Sequence, residues 1–362
     1  MRNTDNNGAL AWIEPGRRFT FEDIVFWRGK EHQSFLRAAG KIDTIVLAPH
    51  ATAAFPAELA PFVSPTLTRR QQFDYSDVTT SALGRAWAAA DEHTVFIENP
   101  HPRLVCDANR PPPVSIGSDL REFYQRLRAA EGARASFTGI DTVRPITFAG
   151  MPVLTEPTDE WEMDRLVETL EACALNGATV YDQMRGHVLN LVLAARNERP
   201  PLLVISLHDT DTYKMRDDGA ITAKRSESDR MPFFINFGNR GDEHGDAVGG
   251  DHTSLSGASF QSLIGGWREA FCGTGASRAD KRITLNKPYK GAYETMYFGA
   301  RLRTFQDMRI GALQIEFNRE LLLGPASAKL REPGVDWPDL HAPTIDEVVA
   351  KCVAAMSHWR QL

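Results

Sequence analysis

The chain has 362 residues, 42% of them hydrophobic and 24% charged. That balance belongs to a globular protein with a large core, and it excludes wholesale disorder, collagen-like repeats and a disulfide scaffold. With 41 Lys and Arg against 47 Asp and Glu, the formal net charge is −6 and no basic run follows the chain. A phosphate-tracking nucleic-acid binder is therefore not expected.

Four cysteines, Cys106, Cys173, Cys272 and Cys352, lie too far apart for any CxxC motif and read as free thiols of a reducing compartment. A metal in this chain would fall to histidine and carboxylate. The first ten residues are polar and lack a basic segment followed by an apolar one, and no apolar run approaches the ~18–20 residues that span a bilayer. The expectation is a cytoplasmic protein with no membrane partner.

Short apolar runs predict strands at residues 42–48 (IDTIVLA), 94–98 (TVFIE), 103–106 (RLVC), 202–207 (LLVISL), 281–286 (KRITLN) and 310–317 (IGALQIEF). Helical spacing predicts helices over 119–130, 159–175 with Thr158 as N-cap, 181–196, 260–272 and 345–359. Strands alternating with helices imply an α/β fold, with helices on both faces of a mixed, mostly parallel sheet. Residues 217–251, rich in Gly, Asp, Arg and His, read as a long surface loop whose His244, like His252 just past it, is solvated. No shift in composition marks a boundary, so residues 1–362 are expected to form one catalytic domain with loop insertions.

In open α/β sheets, sites form beyond the carboxyl ends of strands. Three positions stand out there: His50 after IDTIVLA, His208 after LLVISL, and Glu316, an acid inside an apolar strand. Neutral imidazoles suit zinc, and a nearby carboxylate is suited to deprotonate water. After RLVC stands Asp107-Ala108-Asn109-Arg110. It reads either as a turn or as a carboxylate receptor, since a guanidinium meets a carboxylate through two hydrogen bonds.

Taken in order, five segments resemble the N-formylglutamate amidohydrolase family over roughly residues 42–323. Ala48-Pro49-His50-Ala51 is similar to its Pro-His-Ser/Ala-Gly segment, and Cys106-Asp107-Ala108-Asn109-Arg110-Pro111 to Asp-x-Asn-Arg-Pro. Ser206-Leu207-His208-Asp209 is similar to Asp-x-His-Ser, residues 285–293 to Asn-x-Pro-Phe/Tyr-x-Gly-Gly-Tyr, and residues 312–321 to Leu-Gln-x-Glu. The resemblance, which extends to zinc carboxypeptidases and aspartoacylases, implies a three-layer α/β/α sandwich and one catalytic zinc per chain. It implies hydrolysis of a small anionic N-acyl amino acid such as N-formyl-L-glutamate, releasing formate.

Carried over, His50 and His208 would ligate zinc, Glu316 would be the general base, and Asn109 and Arg110 would bind substrate. Lys290 or Arg319 would add positive charge. Position +3 from His50 is Ala53 rather than the glutamate of His-x-x-Glu, so the third ligand must come from elsewhere. The acidic segment Phe73-Asp74-Tyr75-Ser76-Asp77 offers Asp74 first and Asp77 second. Helix N-capping is the competing role for each aspartate. The family pattern is broken at Thr52, Ser206, Asp209, Ala292 and Tyr297. Those departures leave two alternatives: another zinc acylase of unknown substrate, or an inactive binding protein on the same fold. Oligomeric state is not legible.

Overall fold

A computed structural model describes residues 9–130, 136–196, 201–277 and 279–361. The N-terminal polar segment lies outside the described residues as far as residue 8. Seven strands form the central sheet: β1 (Val25–Trp27), β2 (Thr44–Ala48), β3 (Thr94–Glu98), β4 (Leu202–Thr210), β5 (Ile235–Gly238), β6 (Ile283–Leu285) and β7 (Ile310–Asn318). Their order is β6-β5-β7-β4-β2-β3-β1. The β1–β3 and β5–β7 pairings are antiparallel and the other four parallel. The mixed, mostly parallel sheet expected from the sequence is what forms.

Alternation along the strands sends successive residues to opposite faces. One face, carrying Val46, Phe96, Ile205, Leu313 and Ile315, is covered by α1 (Thr79–Ala90), α5 (Gly257–Cys272) and α7 (Ala342–Arg360). The other, carrying Ile45, Val95, Val204, Ile310 and Ala312, is covered by α4 (Ala178–Ala195) and α6 (Tyr293–Arg303). Two further helices, α2 (Ile116–Ala129) and α3 (Glu160–Asn176), enclose a separate apolar cluster with Leu104 and Val105. Three layers result. Gly84 in α1 lets that helix settle on the sheet, because a Cβ there would stand 2.1 Å from the Phe96 ring.

Four local expectations change. Residues 103–106 form a turn, not a strand; their apolar side chains pack beneath α2 and α3 rather than in a sheet. The predicted 217–251 loop contains β5 and one strand, Ile221–Lys224, of a small hairpin begun by Tyr213–Met215. The chain's polar composition there hides the short INFG run. Asp159 rather than Thr158 caps α3, accepting the Glu162 N–H at 2.8 Å. And β4 runs through His208 to Thr210 instead of ending at Leu207.

Late in the chain, α7 is tied to the first half of the sheet by charge. Arg360 donates to Asp43 at 2.7 and 2.9 Å and to Asp91 at 2.8 Å. Burial pushes the Asp91 carboxyl up, but the bonds from Arg360 and Thr94 overcome this and hold it below the usual range. A depressed acid stabilises the fold above its unfolded pKa, near 3.9, and that stability is lost as pH falls through the folded value. Arg360→Met should therefore cost about 3 kcal/mol at neutral pH. The gap to wild type should narrow as urea denaturation is repeated toward about pH 3.

Candidate active site

On the face covered by α4 and α6, apolar residues give way to polar ones toward the carboxyl ends of the strands. Val204 is followed on that face by Ser206, His208 and Thr210, and Ala312 by Gln314, Glu316 and Asn318. Parallel pairing puts Glu316 directly opposite His208 in register. His50, two residues past β2, completes the approach from the next strand.

The two imidazoles meet at one carboxylate. Asp77 Oδ2 lies 2.8 Å from His208 Nδ1 and 3.2 Å from His50 Nδ1. All three residues are buried, and among the described residues they form a group whose ligand atoms lie within 4.8 Å of one another. Asp77 sits in the turn before α1, where its N–H donates to the His50 carbonyl at 2.9 Å. Its other oxygen accepts from Arg103 at 2.9 Å. Burial pushes the Asp77 carboxyl up, yet Arg103 and the histidines hold it well below the ordinary range. Burial alone would lower His208; its bond to Asp77 and the charges of Glu316 and Asp77 raise it instead.

Behind each imidazole stands a further acceptor. His50 Nε2 is 2.6 Å from Asp107 Oδ1, and Asp107 is held far down its range by His50, Arg103 and Arg110 against its burial. His208 Nε2 is 3.0 Å from Ser206 Oγ and 3.2 Å from Asn109 Nδ2. The side-chain oxygen of Asn109, Oδ1, in turn accepts the Glu294 N–H at 3.0 Å. Asn109 is thus bonded at both ends within the protein.

Arg110 keeps part of its side chain exposed, with Nε donating to Asp141 at 2.8 Å and Nη1 to the Asn109 backbone carbonyl at 3.2 Å. Glu316 is fixed by Thr210 Oγ1 on one oxygen at 2.5 Å and by Gln314 on the other at 2.7 Å. Burial raises its pKa, with Asp77 adding to the effect and His208 opposing it.

Asp74, placed first among the expected third ligands, is not beside the histidines. It accepts Arg319 Nη1 at 2.8 Å. Arg319 also binds Asp209 and donates to the Ser76 carbonyl at 2.8 Å. It thereby clamps the segment that carries Asp77 and has no charge left for a substrate. Lys290 is exposed, and among the described residues its side chain forms no hydrogen bond or ion pair with the cluster; its carbonyl accepts the Arg240 N–H at 2.9 Å. His244 and His252 are exposed.

Three residues enter the site that the sequence reading did not assign. Asp107 was legible within the Asp-x-Asn-Arg-Pro resemblance. Arg103 and Glu294 carried no signal, since each reaches its partner only through the fold.

A family model for N-formylglutamate amidohydrolase matches residues 42–323. The chain belongs to the N-formylglutamate amidohydrolase family. Its membership makes it a hydrolase acting on an amide bond. Among solved structures, N-formylglutamate amidohydrolase from Ralstonia eutropha JMP134 is similar at 18% identity and a TM-score of 0.49, over 89% of this chain and 95% of that one. No curated protein matches. No helix among the described residues is long and apolar enough to cross a membrane.

Arg319 is the compensating charge for two acids of the site's scaffold, and Asp209 is fully buried. Arg319→Met should lower stability by about 3–5 kcal/mol, the cost of leaving a buried charge without its partner. The midpoint of urea unfolding reads this directly.

Proposed function

We propose that this family member is a zinc-dependent deformylase of N-formyl amino acids such as N-formyl-L-glutamate. The observation that carries the reading is the convergence of His50, Asp77 and His208 on one buried point. Two imidazole nitrogens and a carboxylate oxygen are a donor set that suits zinc, and catalytic zinc takes three protein ligands and keeps a position open. The Asp107 carboxylate behind His50 has the form of the outer partner that orients a metal-binding histidine. In this reading Asp77 replaces Asp74 as third ligand, with one zinc per chain. Bound there, zinc would polarise the amide carbonyl and make water more acidic.

The chain's own residues do the rest. Arg110 docks the substrate carboxylate, and Asn109 Oδ1 ties that loop to α6 by accepting the Glu294 N–H. Burial lowers the Arg144 pKa, and the neighbouring Arg103 and Arg110 add to the effect. Lys290 adds a charge at the rim. Glu316 accepts a proton from water as it attacks the formyl carbon, then delivers it to the departing nitrogen as the C–N bond breaks. Formate and a free amino acid result. A carboxyl whose pKa is raised by burial is suited to both transfers. We read residues 1–362 as one catalytic domain, supported by the Arg360 bonds that tie α7 to the first strands.

Metal analysis of the purified chain should find about one zinc per molecule. Asp77→Asn should lose that zinc, whereas Asp74→Asn should retain it. Full activity after the metal is stripped would sink the zinc reading.

Glu316→Gln should keep its zinc and lose roughly 10²–10⁴ in kcat. Undiminished turnover would remove Glu316 from the chemistry. Comparing formyl, acetyl and aspartyl amides in the same assay separates a deformylase from another acylase, and no turnover of any amide by zinc-loaded protein would favour a binding protein.

A further inference from the structure

The family pattern places an aspartate where this chain has Ser206, two residues before His208. A carboxylate is nevertheless present. Ser206 Oγ donates to Glu294 Oε2 at 2.6 Å and stands 3.0 Å from His208 Nε2. Glu294 is fully buried at the start of α6. Its other oxygen accepts from Tyr181 OH and from Arg185 Nη1, each at 2.7 Å. Every side-chain partner of this carboxyl donates a proton to it. Arg185 Nη1 also donates to the Ala108 carbonyl at 3.1 Å, so the Asn109–Arg110 turn hangs from the same group.

A histidine that offers Nδ1 to a metal carries its proton on Nε2 and needs an acceptor there. Asn109 Nδ2, at 3.2 Å, is a donor and opposes that tautomer. Ser206 Oγ spends its own proton on Glu294 and so turns a lone pair toward Nε2. The negative charge one bond behind decides between the two.

We propose that Glu294, acting through Ser206, is a positioning residue that holds His208 in the tautomer and orientation needed for zinc. It thus supplies from 88 residues away in sequence the carboxylate lost at position 206. This inference rests on the reading of His50, Asp77 and His208 as zinc ligands.

The test is zinc affinity of the full chain, measured by competition with a chelating dye. Wild type should bind zinc; if it does not, the zinc reading itself fails and the inference with it. Given wild-type binding, Glu294→Gln and Ser206→Ala should each weaken zinc by about 10- to 100-fold. Ser206→Ala leaves the Arg185–Glu294 pair intact, so it carries the test if Glu294→Gln does not fold. Its thermal midpoint should stay near that of wild type. The double variant Ser206→Asp with Glu294→Gln returns a carboxylate directly to Nε2 and should recover most of the lost affinity. Wild-type affinity in Ser206→Ala, or a folded double variant no tighter than Glu294→Gln, overturns the proposal.

Discussion

Two imidazoles from separate segments share a single oxygen of Asp77, and the rest of the site is arranged to make that tolerable. A buried carboxylate is costly unless its charge is met and its lone pairs are filled. Arg103 fills one oxygen of Asp77 and the histidines fill the other. The same arithmetic repeats outward, with Asp107 set against His50 and Arg110, Glu294 against Arg185, and Asp209 and Asp74 against Arg319. Such a network adds little net stability over an apolar core, but breaking any member leaves a charge stranded. It gives the site one geometry and makes the alternatives expensive.

The sheet is what lets this happen in the interior. Its two faces have different jobs. The face under α1, α5 and α7 stays apolar almost to the strand ends, with Leu207, Ile315 and Phe317 still in the core. The face under α4 and α6 changes to polar residues over the last turns of pleat, and there His208 and Glu316 stand side by side on paired strands. Asp209, one residue on, points to the other face and serves the scaffold through Arg319 instead of the site. A shift of one residue in the register of β4 would exchange those roles.

Much of this was readable in advance where a signal is local. Buried strands announce themselves as apolar runs, so β2, β3, β4 and β7 were visible, and with them the positions of His50, His208 and Glu316. The family motifs added Asn109 and Arg110. What failed was information held only in three dimensions. Residues 103–106 have the composition of a strand because they too are buried, but against helices. The order of preference between Asp74 and Asp77 turned on three residues of chain, and spacing does not say which of two nearby aspartates turns inward and which meets Arg319. The loss of a carboxylate at Ser206 was plain in the sequence. Its replacement was not, since Glu294 lies on another element and looks like any acidic residue in the first turn of a helix.

The Arg360 clamp also bears on the order of assembly. Asp43 and Asp91 precede β2 and β3, while their shared cation lies 317 and 269 residues further along the chain. Until α7 docks, both acids lack this cation and are better left in water. The clamp is thus a contact of high sequence separation, whose loop-closure entropy is met only once α7 has docked, and contacts of that kind slow folding.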